Sequence, residues 1–424
     1  MTAAAGPLNV AIAGLGTVGR SVARLLCEGH HPGLRLVAVC TRRPEAARRD
    51  APWVSPDVAW TSDIDGLLAE RAGVIVELIG GVEPARTWIA AALRAGRAVV
   101  TANKQVMAGH GHELVSLARA SGSPLRFEAA VGGAVPVIRG LQDGLAGDRV
   151  TRIAGVVNGT CNFVFGRMTD AGVSLDEAVR DAQARGFAEA DPAADLDGLD
   201  ARAKLSILTA IGFGEHLPAG RIPAASIRGI DAGDVAAAAS VGRVIRQVAW
   251  ADRPGRESGG IAAGVSAALV GRDSWLGRAR GPENVVLVRG ERSGTTVFAG
   301  QGAGGDATAV AVVSDLLALA HQRSVPRPWP APSTGGAWAG SALPHYVRVS
   351  RPEAEGPHTP PGLLEGAGIE LDRILPCPEG GGVRWAALVR PCRRADLDRA
   401  LEPLLAAGVT GREFISLPLF DADA

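Results

Sequence analysis

The chain has 424 residues, which is enough for two or three domains with complete hydrophobic cores. Its 44 basic and 44 acidic residues cancel to zero net charge, which argues against a nucleic-acid groove or an anionic membrane surface as a partner. No run approaches about 18 apolar residues, and no basic signal segment precedes the first strand. The five cysteines form no CxxC pair; they are Cys27, Cys40, Cys161, Cys377 and Cys392. We therefore expect a reducing, cytoplasmic location and no membrane-spanning helix.

Apolar strands alternate with amphipathic helices over the first third of the chain. Together with 47% hydrophobic residues, this alternation predicts a doubly wound parallel sheet of the Rossmann type. The predicted strands are Leu8–Ala13, Leu36–Cys40, Val74–Ile79, Ala98–Thr101 and Leu125–Ala130. The predicted helices are Val18–Glu28, Glu83–Ala95 and one that ends over Val115–Ala120.

Beyond Val150 the pattern changes to a mixture that predicts an α+β second domain. The predicted helices are Leu175–Arg185, Leu196–Ile211 and Val235–Ala251. The predicted strands are Val285–Arg289 and Thr295–Ala299. An apolar helix over Thr308–Ala320 then follows a glycine-rich run, an arrangement that allows close backbone approach or makes an anion site.

The last part of the chain combines a Pro-, Gly- and Trp-rich stretch with a small mixed region. Residues 323–344 predict an extended linker, and residues 345–424 predict a ferredoxin-like βαββαβ module that folds independently. The predicted elements of this module are Tyr346–Ser350, Pro361–Gly366, Leu371–Leu375, Val383–Val389, Ala395–Ala407 and Phe414–Leu417. Before the linker, we expect two domains. Residues 1–135 together with residues 302–322 form a dinucleotide-binding domain, and residues 136–301 form a catalytic, dimerising domain.

Gly14, Gly16 and Gly19 form a GxGxxG motif between the first strand and the first helix. The first glycine allows a tight turn, the second allows the backbone to approach a pyrophosphate, and the third allows the helix to pack on the strand. Thr17 and Val18 open the helix, whose N-terminus would meet the pyrophosphate. The motif predicts a dinucleotide site, and the alternative is a glycine turn with a structural role only.

The end of the second strand indicates which dinucleotide is bound. It carries Thr41-Arg42-Arg43, with no acid before Glu45. An NAD site usually has an acid there for the ribose 2′-hydroxyl, whereas arginine pairs with the 2′-phosphate of NADP. The sequence therefore favours NADP, bound by Arg42 and Arg43. The alternative is a permissive pocket that takes both NADP and NAD beside two solvated arginines.

Only two of the 44 basic residues are lysine, Lys104 and Lys204. Lysine can lose its proton in a protein and arginine cannot, so lysines kept in an arginine-rich chain indicate proton transfer or a compact charge. Lys204 ends a 16-residue stretch with five acids, and Asp200 lies one helical turn before it. Such a cluster suits a zwitterionic substrate, because acids bind an ammonium and an amine exchanges a proton with a hydroxyl. The alternative is an ordinary surface ion pair.

The order of these features resembles homoserine dehydrogenase across residues 8–320. The matching segments are Gly14–Gly19, Val76–Gly81, Thr101–Lys104, Asn158–Phe163, Gly186–Lys204 and Gly302–Leu316. The resemblance implies reversible hydride transfer between NAD(P)H and L-aspartate 4-semialdehyde, giving L-homoserine for threonine and methionine biosynthesis. It also implies a homodimer. Two alternatives are another semialdehyde or hydroxy-amino-acid oxidoreductase, and a non-catalytic NADP-binding sensor.

The resemblance implies roles for individual residues as well. Lys204 matches the lysine that exchanges a proton with the substrate oxygen, and Lys104 matches the second lysine, near the nicotinamide and substrate. The acids that hold the substrate and orient Lys204 match Glu189, Asp195 and Asp200. The backbone beneath the nicotinamide matches Gly159 and Thr160, and the loop that faces it contains Gly302. The backbone positions that hold a sodium ion in the family match Glu128, Val131, Gly133 and Val135.

The chain also departs from the family pattern. Cys161 stands where threonine is common, Gln301 where proline is usual, and Asp306-Ala307 where Leu-Pro is usual. The C-terminal part resembles an ACT-type regulatory module, but its first helix is unusually short. We therefore expect no threonine feedback through this module, and the alternative roles are dimer stabilisation or none.

Overall fold

The structure is a computed structural model that describes residues 6–253, 260–321, 324–333, 342–351, 360–375, 383–406 and 414–421. It divides into two compact units. The first unit contains residues 1–147, 206–218 and 300–332, and the second contains residues 148–205, 219–299 and 333–424. Within the described residues, no helix combines the length and apolar character needed to cross a membrane.

The first unit is built on a six-stranded sheet with the order β3-β2-β1-β4-β5-β6, in which neighbouring strands pair parallel. The strands are β1 Leu8–Ala13, β2 Leu34–Cys40, β3 Ala59–Thr61, β4 Val74–Glu77, β5 Ala98–Thr101 and β6 Leu125–Arg126. The helices are α1 Thr17–Cys27, α2 Pro44–Asp50, α3 Ile64–Ala69, α4 Ala85–Arg94, α5 Lys104–Ala120 and the short α6 Val137–Arg139. A 3₁₀ turn over Glu128–Ala130 follows β6, and a π turn over Gly140–Gly144 follows α6. The parallel Rossmann-like sheet expected from the sequence is confirmed.

The core of this unit forms where apolar helix faces cover the sheet. On α1, the buried residues Val22, Ala23 and Leu26 recur at helical spacing and pack against Val10 and Ile12 of β1. Full burial of a valine or leucine side chain contributes about 1.5–3 kcal/mol. The later helix α12, Gly305–His321, also belongs to this core, through Ala309, Val312, Val313, Leu316 and Leu319.

The second unit contains a mixed sheet that begins with five strands, in the order β11-β10-β7-β8-β9. These strands are β7 Val150–Val156, β8 Arg243–Asp252, β9 Ala262–Gly271, β10 Glu283–Gly290 and β11 Gly294–Gln301, and β7 to β10 pair antiparallel. The helices between them are α7 Gly159–Ala171, α8 Leu175–Ala184, α9 Ala193–Leu196, α10 Leu199–Phe213 and α11 Ala232–Ser240, with a 3₁₀ turn over Ala219–Arg221.

The long helix predicted over Val235–Ala251 is wrong. The alanine-rich α11 stops at Ser240, and Gly242 turns the chain at φ +72°. The following residues form β8, which is rich in β-branched side chains and is buried on both faces. A strand buried on both faces lacks polar–apolar alternation, so its apolar run does not distinguish it from a buried helix.

The C-terminal part continues the sheet of the second unit. It contains β12 Ala342–Arg351, α13 Pro360–Gly366, β13 Leu371–Leu375, β14 Val383–Arg393, α14 Arg394–Ala406 and β15 Phe414–Phe420. The strand order is β15-β12-β14-β13, with antiparallel pairs. β15 also pairs parallel with β9, where Leu419 lies opposite Leu269 and Phe420 opposite Val270. A nine-stranded sheet therefore spans a region that the sequence analysis divided between a catalytic domain and an independent module.

Side-chain contacts also join this C-terminal part to the rest of the second unit. Tyr346 of β12 shares a hydrophobic core with Phe165 of α7. The guanidinium of Arg348, which is buried, lies 2.9 Å from the buried carboxylate of Asp234, and the Tyr346 hydroxyl donates to that carboxylate at 2.8 Å. Losing one partner of a buried ion pair costs about 3–5 kcal/mol, so these contacts fix β12 against the start of α11.

Only part of the predicted linker lies within the described residues, because residues 334–341 fall outside them. The ring of Trp329 is buried in the first unit, with its centroid 5.9 Å from Phe127 and 5.6 Å from His216. Trp329 therefore anchors this stretch to the first unit, although most of residues 324–333 are exposed and have almost no regular secondary structure.

Candidate active site

The glycine motif of the first unit has the geometry of a tight turn. Gly14 has φ +101°, and a Cβ there would lie 2.6 Å from the carbonyl oxygen of Leu78. A Cβ on Gly19 would collide with the Gly14 carbonyl, so the third glycine allows α1 to sit against the turn. Among the described residues, no atom would lie within 4 Å of a Cβ on Gly16. The first and third glycines are thus required by the fold, and the second faces open space where a ligand can approach the backbone.

The N-terminus of α1 lacks the usual protein partners for its amide groups. Gly16 is the N-cap, and no side chain in the described part of the chain accepts a hydrogen bond there. The first turn, which includes Thr17 and Val18, contains no acid. The first glycine of α12, Gly305, is close to this turn, since its Cβ would lie 3.0 Å from Thr17 Cγ2. Uncapped amides and the positive end of the helix dipole make such a terminus a binding site for phosphate.

Arg42 and Arg43 follow Thr41 after the end of β2, and both are exposed. Arg43 is the N-cap of α2, but no side-chain cap is formed. Among the described residues, no ion pair involves either guanidinium. Both charges are therefore available for an anionic group at this end of the sheet.

Lys104 begins α5 at the end of β5 and is partly buried. The preceding Asn103 caps this helix by accepting from Val106 N at 3.1 Å, and its amide donates to the Gly81 carbonyl at 2.7 Å. Nearby, the buried carboxylate of Glu77 accepts from the Thr101 hydroxyl at 2.5 Å. This role of Glu77 was not predicted, although a single acid at the end of an apolar strand is a visible signal in the sequence.

The four positions assigned to sodium lie in a compact turn of the first unit. Gly133 packs against Gly302, since its Cβ would lie 2.7 Å from the Gly302 carbonyl carbon. The backbone carbonyl of Glu128 accepts from Val131 N at 3.3 Å, and that of Val135 accepts from Val137 N at 2.8 Å. A carbonyl oxygen has a second lone pair, so the backbone remains able to hold a small cation.

The side chain of Glu128 has a separate structural role. Its carboxylate accepts from the backbone N–H groups of Ile138 at 2.9 Å and Arg139 at 2.8 Å. Burial and the charge of Asp315 raise the pKa of Glu128 to about 7. Among the described residues, no group of three His, Cys, Asp or Glu side chains forms a metal site, so a cation here would depend on carbonyl oxygens.

In the second unit, Lys204 and Asp200 form a buried ion pair on one face of α10. Lys204 Nζ lies 2.7 Å from Asp200 Oδ2, and each residue is only 9% exposed. The same Nζ donates to the Val157 carbonyl at 2.7 Å. The predicted i,i+4 pair is therefore present, and its burial contradicts the alternative of a solvated surface pair.

A third residue joins this pair to another acid. The amide nitrogen of Asn158 donates to Asp200 Oδ2 at 2.9 Å and to Asp195 Oδ1 at 2.7 Å. The backbone carbonyl of Asp195 accepts from Gln247 Nε2 at 3.0 Å and from Cys161 Sγ at 3.3 Å. Asp195, Asp200 and Lys204 thus belong to one hydrogen-bonded cluster, which the sequence analysis predicted without the amide at its centre.

Burial and neighbouring charges act on the acids of this cluster. Burial raises the pKa of Asp195, the hydrogen bond from Asn158 opposes that rise, and the charge of Asp200 adds to it. Burial also raises the pKa of Cys161 well above its ordinary value, which keeps this sulfur a neutral thiol. The cluster therefore holds two acids close together in a site where ionising both is costly unless a cation is present.

Among the described residues, the other acids of the predicted cluster make no hydrogen bond or ion pair with Lys204. Glu189 is exposed, and its carboxylate makes no hydrogen bond to a described residue. Asp191 accepts from Ala193 N at 3.0 Å, and Asp197 pairs with Arg228 at 3.1 Å. Of the three acids assigned to the substrate, the structure joins Asp195 and Asp200 directly, while Glu189 is on the surface of the same segment.

Gly159 and Thr160 form the first turn of α7, whose N-cap is Asn158. A Cβ on Gly159 would lie 3.1 Å from the Pro282 carbonyl oxygen, so close backbone packing favours glycine there. The Thr160 hydroxyl donates to the Phe187 carbonyl at 2.7 Å, which holds the segment before Glu189. These two residues position the start of α7 beside Asp195 and Asp200.

The two sites have distinct chemical capacities. In the first unit, uncapped amides and two exposed cations can bind the phosphates of a dinucleotide. In the second unit, a buried ammonium beside a carboxylate can exchange a proton with an oxygen atom, and the paired acids can bind a substrate ammonium.

Known protein families match both units. A family described as homoserine dehydrogenase, NAD binding domain, matches residues 14–128, and one described as homoserine dehydrogenase matches residues 136–317. The homoserine dehydrogenase of Synechocystis sp. is 38% identical over 314 residues, which is 73% of this chain and 72% of that protein. The homoserine dehydrogenase of Mycobacterium tuberculosis is 39% identical over 322 residues, 75% of this chain and 73% of that protein.

Solved structures extend the similarity. A homoserine dehydrogenase from Thiobacillus denitrificans has a TM-score of 0.87 and 29% identity, with 98% of both chains covered. A hyperthermophilic archaeal homoserine dehydrogenase in complex with NADPH has a TM-score of 0.64 and 26% identity, over 76% of this chain and all (100%) of that one. The chain has an NAD(P)-binding domain and belongs to the homoserine dehydrogenase family, whose oxidoreductases interconvert L-homoserine and L-aspartate 4-semialdehyde.

Proposed function

We propose that Lys204 is the proton donor and acceptor of this reaction. In the direction of homoserine formation, the carbonyl carbon of the semialdehyde gains a hydride, and Lys204 gives a proton to the oxygen that becomes the hydroxyl. NADPH would supply the hydride when bound. The observation that carries this assignment is the buried Lys204 Nζ, held at 2.7 Å by both Asp200 and the Val157 carbonyl. Two short contacts aim the ammonium, and burial keeps bulk water from competing with the substrate oxygen.

The acids of the same cluster would bind the amino-acid end of the substrate. Asp195 and Asp200 share one amide donor and lie beside the Lys204 ammonium, and a substrate ammonium would add a second positive charge to offset the two carboxylates. Glu189 would contribute from the exposed segment beside them. The start of α7 at Gly159 and Thr160 would form the floor for the nicotinamide, with Lys104 as the second lysine of the site.

We favour NADP over NAD as the cofactor. Arg42 and Arg43 present two exposed cations where a ribose 2′-phosphate would lie, and no acid precedes Glu45. The open turn at Gly16, the uncapped start of α1 and the loop at Gly302 fit the pyrophosphate and nicotinamide ends. The archaeal relative that was solved with NADPH is consistent with this preference.

A sodium ion held by carbonyl oxygens remains a prediction for Glu128, Val131, Gly133 and Val135. Support comes from the tight turn in which Gly132 and Gly133 both have positive φ. In such a turn several carbonyl oxygens can point toward one position, and oxygen ligands suit a hard cation such as sodium.

The remaining assignments concern the whole chain. The C-terminal strands have the order and antiparallel pairing of a ferredoxin-like fold, which supports an ACT-type module over residues 345–424. The other domain boundaries, at residues 135, 301 and 344, a homodimer and a cytoplasmic location also remain predictions.

One assay tests the central proposal. Purified protein with L-homoserine should reduce NADP faster than NAD, and the activity should be lost when Lys204 is replaced. Related alcohols such as L-serine should give far lower rates. Equal rates with these alcohols would contradict the substrate assignment.

A further inference from the structure

The amide of Asn158 occupies the centre of the substrate cluster and is almost completely buried, at 3% exposed. Its nitrogen has two hydrogens, and the two carboxylates of Asp195 and Asp200 each accept a bond from it, at 2.7 and 2.9 Å. Its oxygen accepts from the backbone N–H of Cys161 at 2.8 Å, which fixes the orientation of the amide. Every hydrogen of the amide nitrogen is therefore used to hold an acid.

This double contact fixes the distance between two like charges. Asp200 Oδ2 also accepts from Lys204 Nζ at 2.7 Å, so one oxygen atom receives both the amide and the ammonium. Without the amide, repulsion would favour separation of Asp195 from Asp200 or protonation of one of them. Either change would move the groups that face the substrate.

We propose that Asn158 is a positioning residue for this reaction, whose amide holds Asp195 and Asp200 at the spacing that receives the substrate ammonium and keeps Lys204 aligned. This inference rests on the proposed function, in which these acids bind the ammonium and Lys204 exchanges the proton. Asn158 itself touches the two acids and no reacting atom, so its effect is transmitted through them.

Asn158 also has a purely structural role, because it is the N-cap of α7. Serine and aspartate cap helices about as well as asparagine, but neither supplies an amide with two hydrogens. Asn158→Ser and Asn158→Asp therefore keep the cap and remove the double contact. Asn158→Asp also places a third carboxylate beside Asp195 and Asp200. As a control for lost capping alone, Ser174→Ala removes the N-cap of the neighbouring α8, outside the cluster.

The pH dependence separates positioning from capping. The charged and titratable groups near Asp195 include Asp200 and Lys204 on α10, Cys161 on α7 and Asp197 at the end of α9. Burial raises the pKa of Asp195, and the hydrogen bonds from Asn158 and Thr160 oppose that rise. Removing the hydrogen bond from Asn158 raises the pKa of Asp195 further, so this carboxylate becomes protonated at a higher pH. Binding of the substrate ammonium is then lost at a higher pH than in the wild type when the solution is acidified. The added charge in Asn158→Asp should move the acidic limb further in the same direction.

The experiment measures L-homoserine binding to enzyme saturated with NADPH, a pair that cannot react, together with the pH profile of kcat/KM. We expect Asn158→Ser to weaken homoserine binding about 10-fold to 100-fold, the usual effect of losing hydrogen bonds to charged groups. The acidic limb should shift to higher pH, with a larger shift for Asn158→Asp. The KM for NADP should change less than about twofold, and Ser174→Ala should match the wild type in binding and pH profile.

Two results would overturn the inference: homoserine binding within about threefold of wild type in both Asn158 variants, or losses that Ser174→Ala reproduces. Failure of the proposed role of Lys204 is a separate outcome. It would appear as full turnover in a Lys204 variant, whereas the role of Asn158 is decided by homoserine binding without turnover.

Discussion

The starts of α1 and α7 show two opposite ways to use a helix N-terminus. Both helices follow a strand within a few residues, α1 after β1 and α7 after β7. At α1 the N-cap is Gly16, and the residues that the structure describes place no side-chain acceptor there and no atom within 4 Å of a Cβ on Gly16. At α7 the N-cap is Asn158, which satisfies the first turn and also binds two acids. Under the proposed function, the terminus that would receive a phosphate is open, whereas the terminus that would organise the reacting side chains is closed by the protein itself.

The difference follows from what each site has to do. A pyrophosphate brings its own negative charge and needs N–H donors, so side chains at the turn would only obstruct it. A proton donor needs a fixed side chain in a defined environment, and that environment has to be built from other side chains. We therefore expect mutations in the second unit to affect the chemical step and mutations at the first unit's turn to affect cofactor binding.

The largest effect should come from Lys204→Arg, which keeps the charge but removes a proton that can be exchanged near neutral pH. We expect kcat to fall about 10²–10⁴-fold, with little change in the KM for NADP. Steady-state kinetics with homoserine would measure both constants. Arg202→Lys on the same helix is a matched control that should keep normal turnover. A Lys204→Arg variant with a third of normal kcat would contradict the proton-transfer role.

The next effect concerns cofactor choice. Replacing both Arg42 and Arg43 with alanine should weaken NADP by about 10-fold to 100-fold, because one lost charge-assisted contact is worth about 1.5–3 kcal/mol. NAD, which lacks the 2′-phosphate, should be affected far less. Titration of both cofactors would show the difference, and Arg49→Ala in α2 provides a control for the loss of a nearby positive charge. An equal loss for both cofactors would mean that these arginines do not bind the phosphate.

Gly16→Ala should have a smaller, more selective effect. Gly16 has ordinary extended angles of φ −74° and ψ −160°, so alanine fits the fold and the thermal midpoint should stay close to wild type. The added methyl would occupy the space where the pyrophosphate approaches, and we expect a rise in the KM for NADP of about tenfold. Gly109→Ala, at an exposed position within α5, is the control for adding a methyl elsewhere. Unchanged cofactor binding in Gly16→Ala would show that the open space is not used.

The smallest effect should be that of threonine. We expect millimolar threonine to change the activity of the full chain by less than about twofold, which corresponds to under roughly 0.5 kcal/mol of coupling. α13 has only seven residues, and β12 is already fixed by the Arg348–Asp234 contact. Initial rates with and without threonine provide the measurement. Strong inhibition would show that the C-terminal part is a working regulator despite its short helix.

Much of this architecture could be predicted because the signals are local. The glycine motif, the alternation around it and the i,i+4 spacing of Asp200 and Lys204 each fit within one or two elements, and the structure contains all three. The strand β8 could not be recognised, because an apolar run buried on both faces has no period that separates strand from helix.

Contacts between residues far apart in the sequence were the second kind of feature that could not be predicted. Nothing near Asn158 in sequence indicates bonds to residues 37 and 42 positions later, so its central place was visible only in the fold. The same applies to the C-terminal part. A Pro-rich stretch suggests a hinge, but strand pairing between residues 269 and 419 decides whether the region beyond it is independent.

The pairing of β15 with β9 has a consequence for synthesis on the ribosome. β9 ends at Gly271, and its neighbour β15 is completed only at Phe420. Translation at about 5–20 residues per second leaves an interval of roughly 7–30 s in which this edge of the sheet has no partner strand. Unpaired edges favour association between chains, so a nascent chain of this enzyme should depend on chaperone protection longer than its early-forming first sheet would suggest.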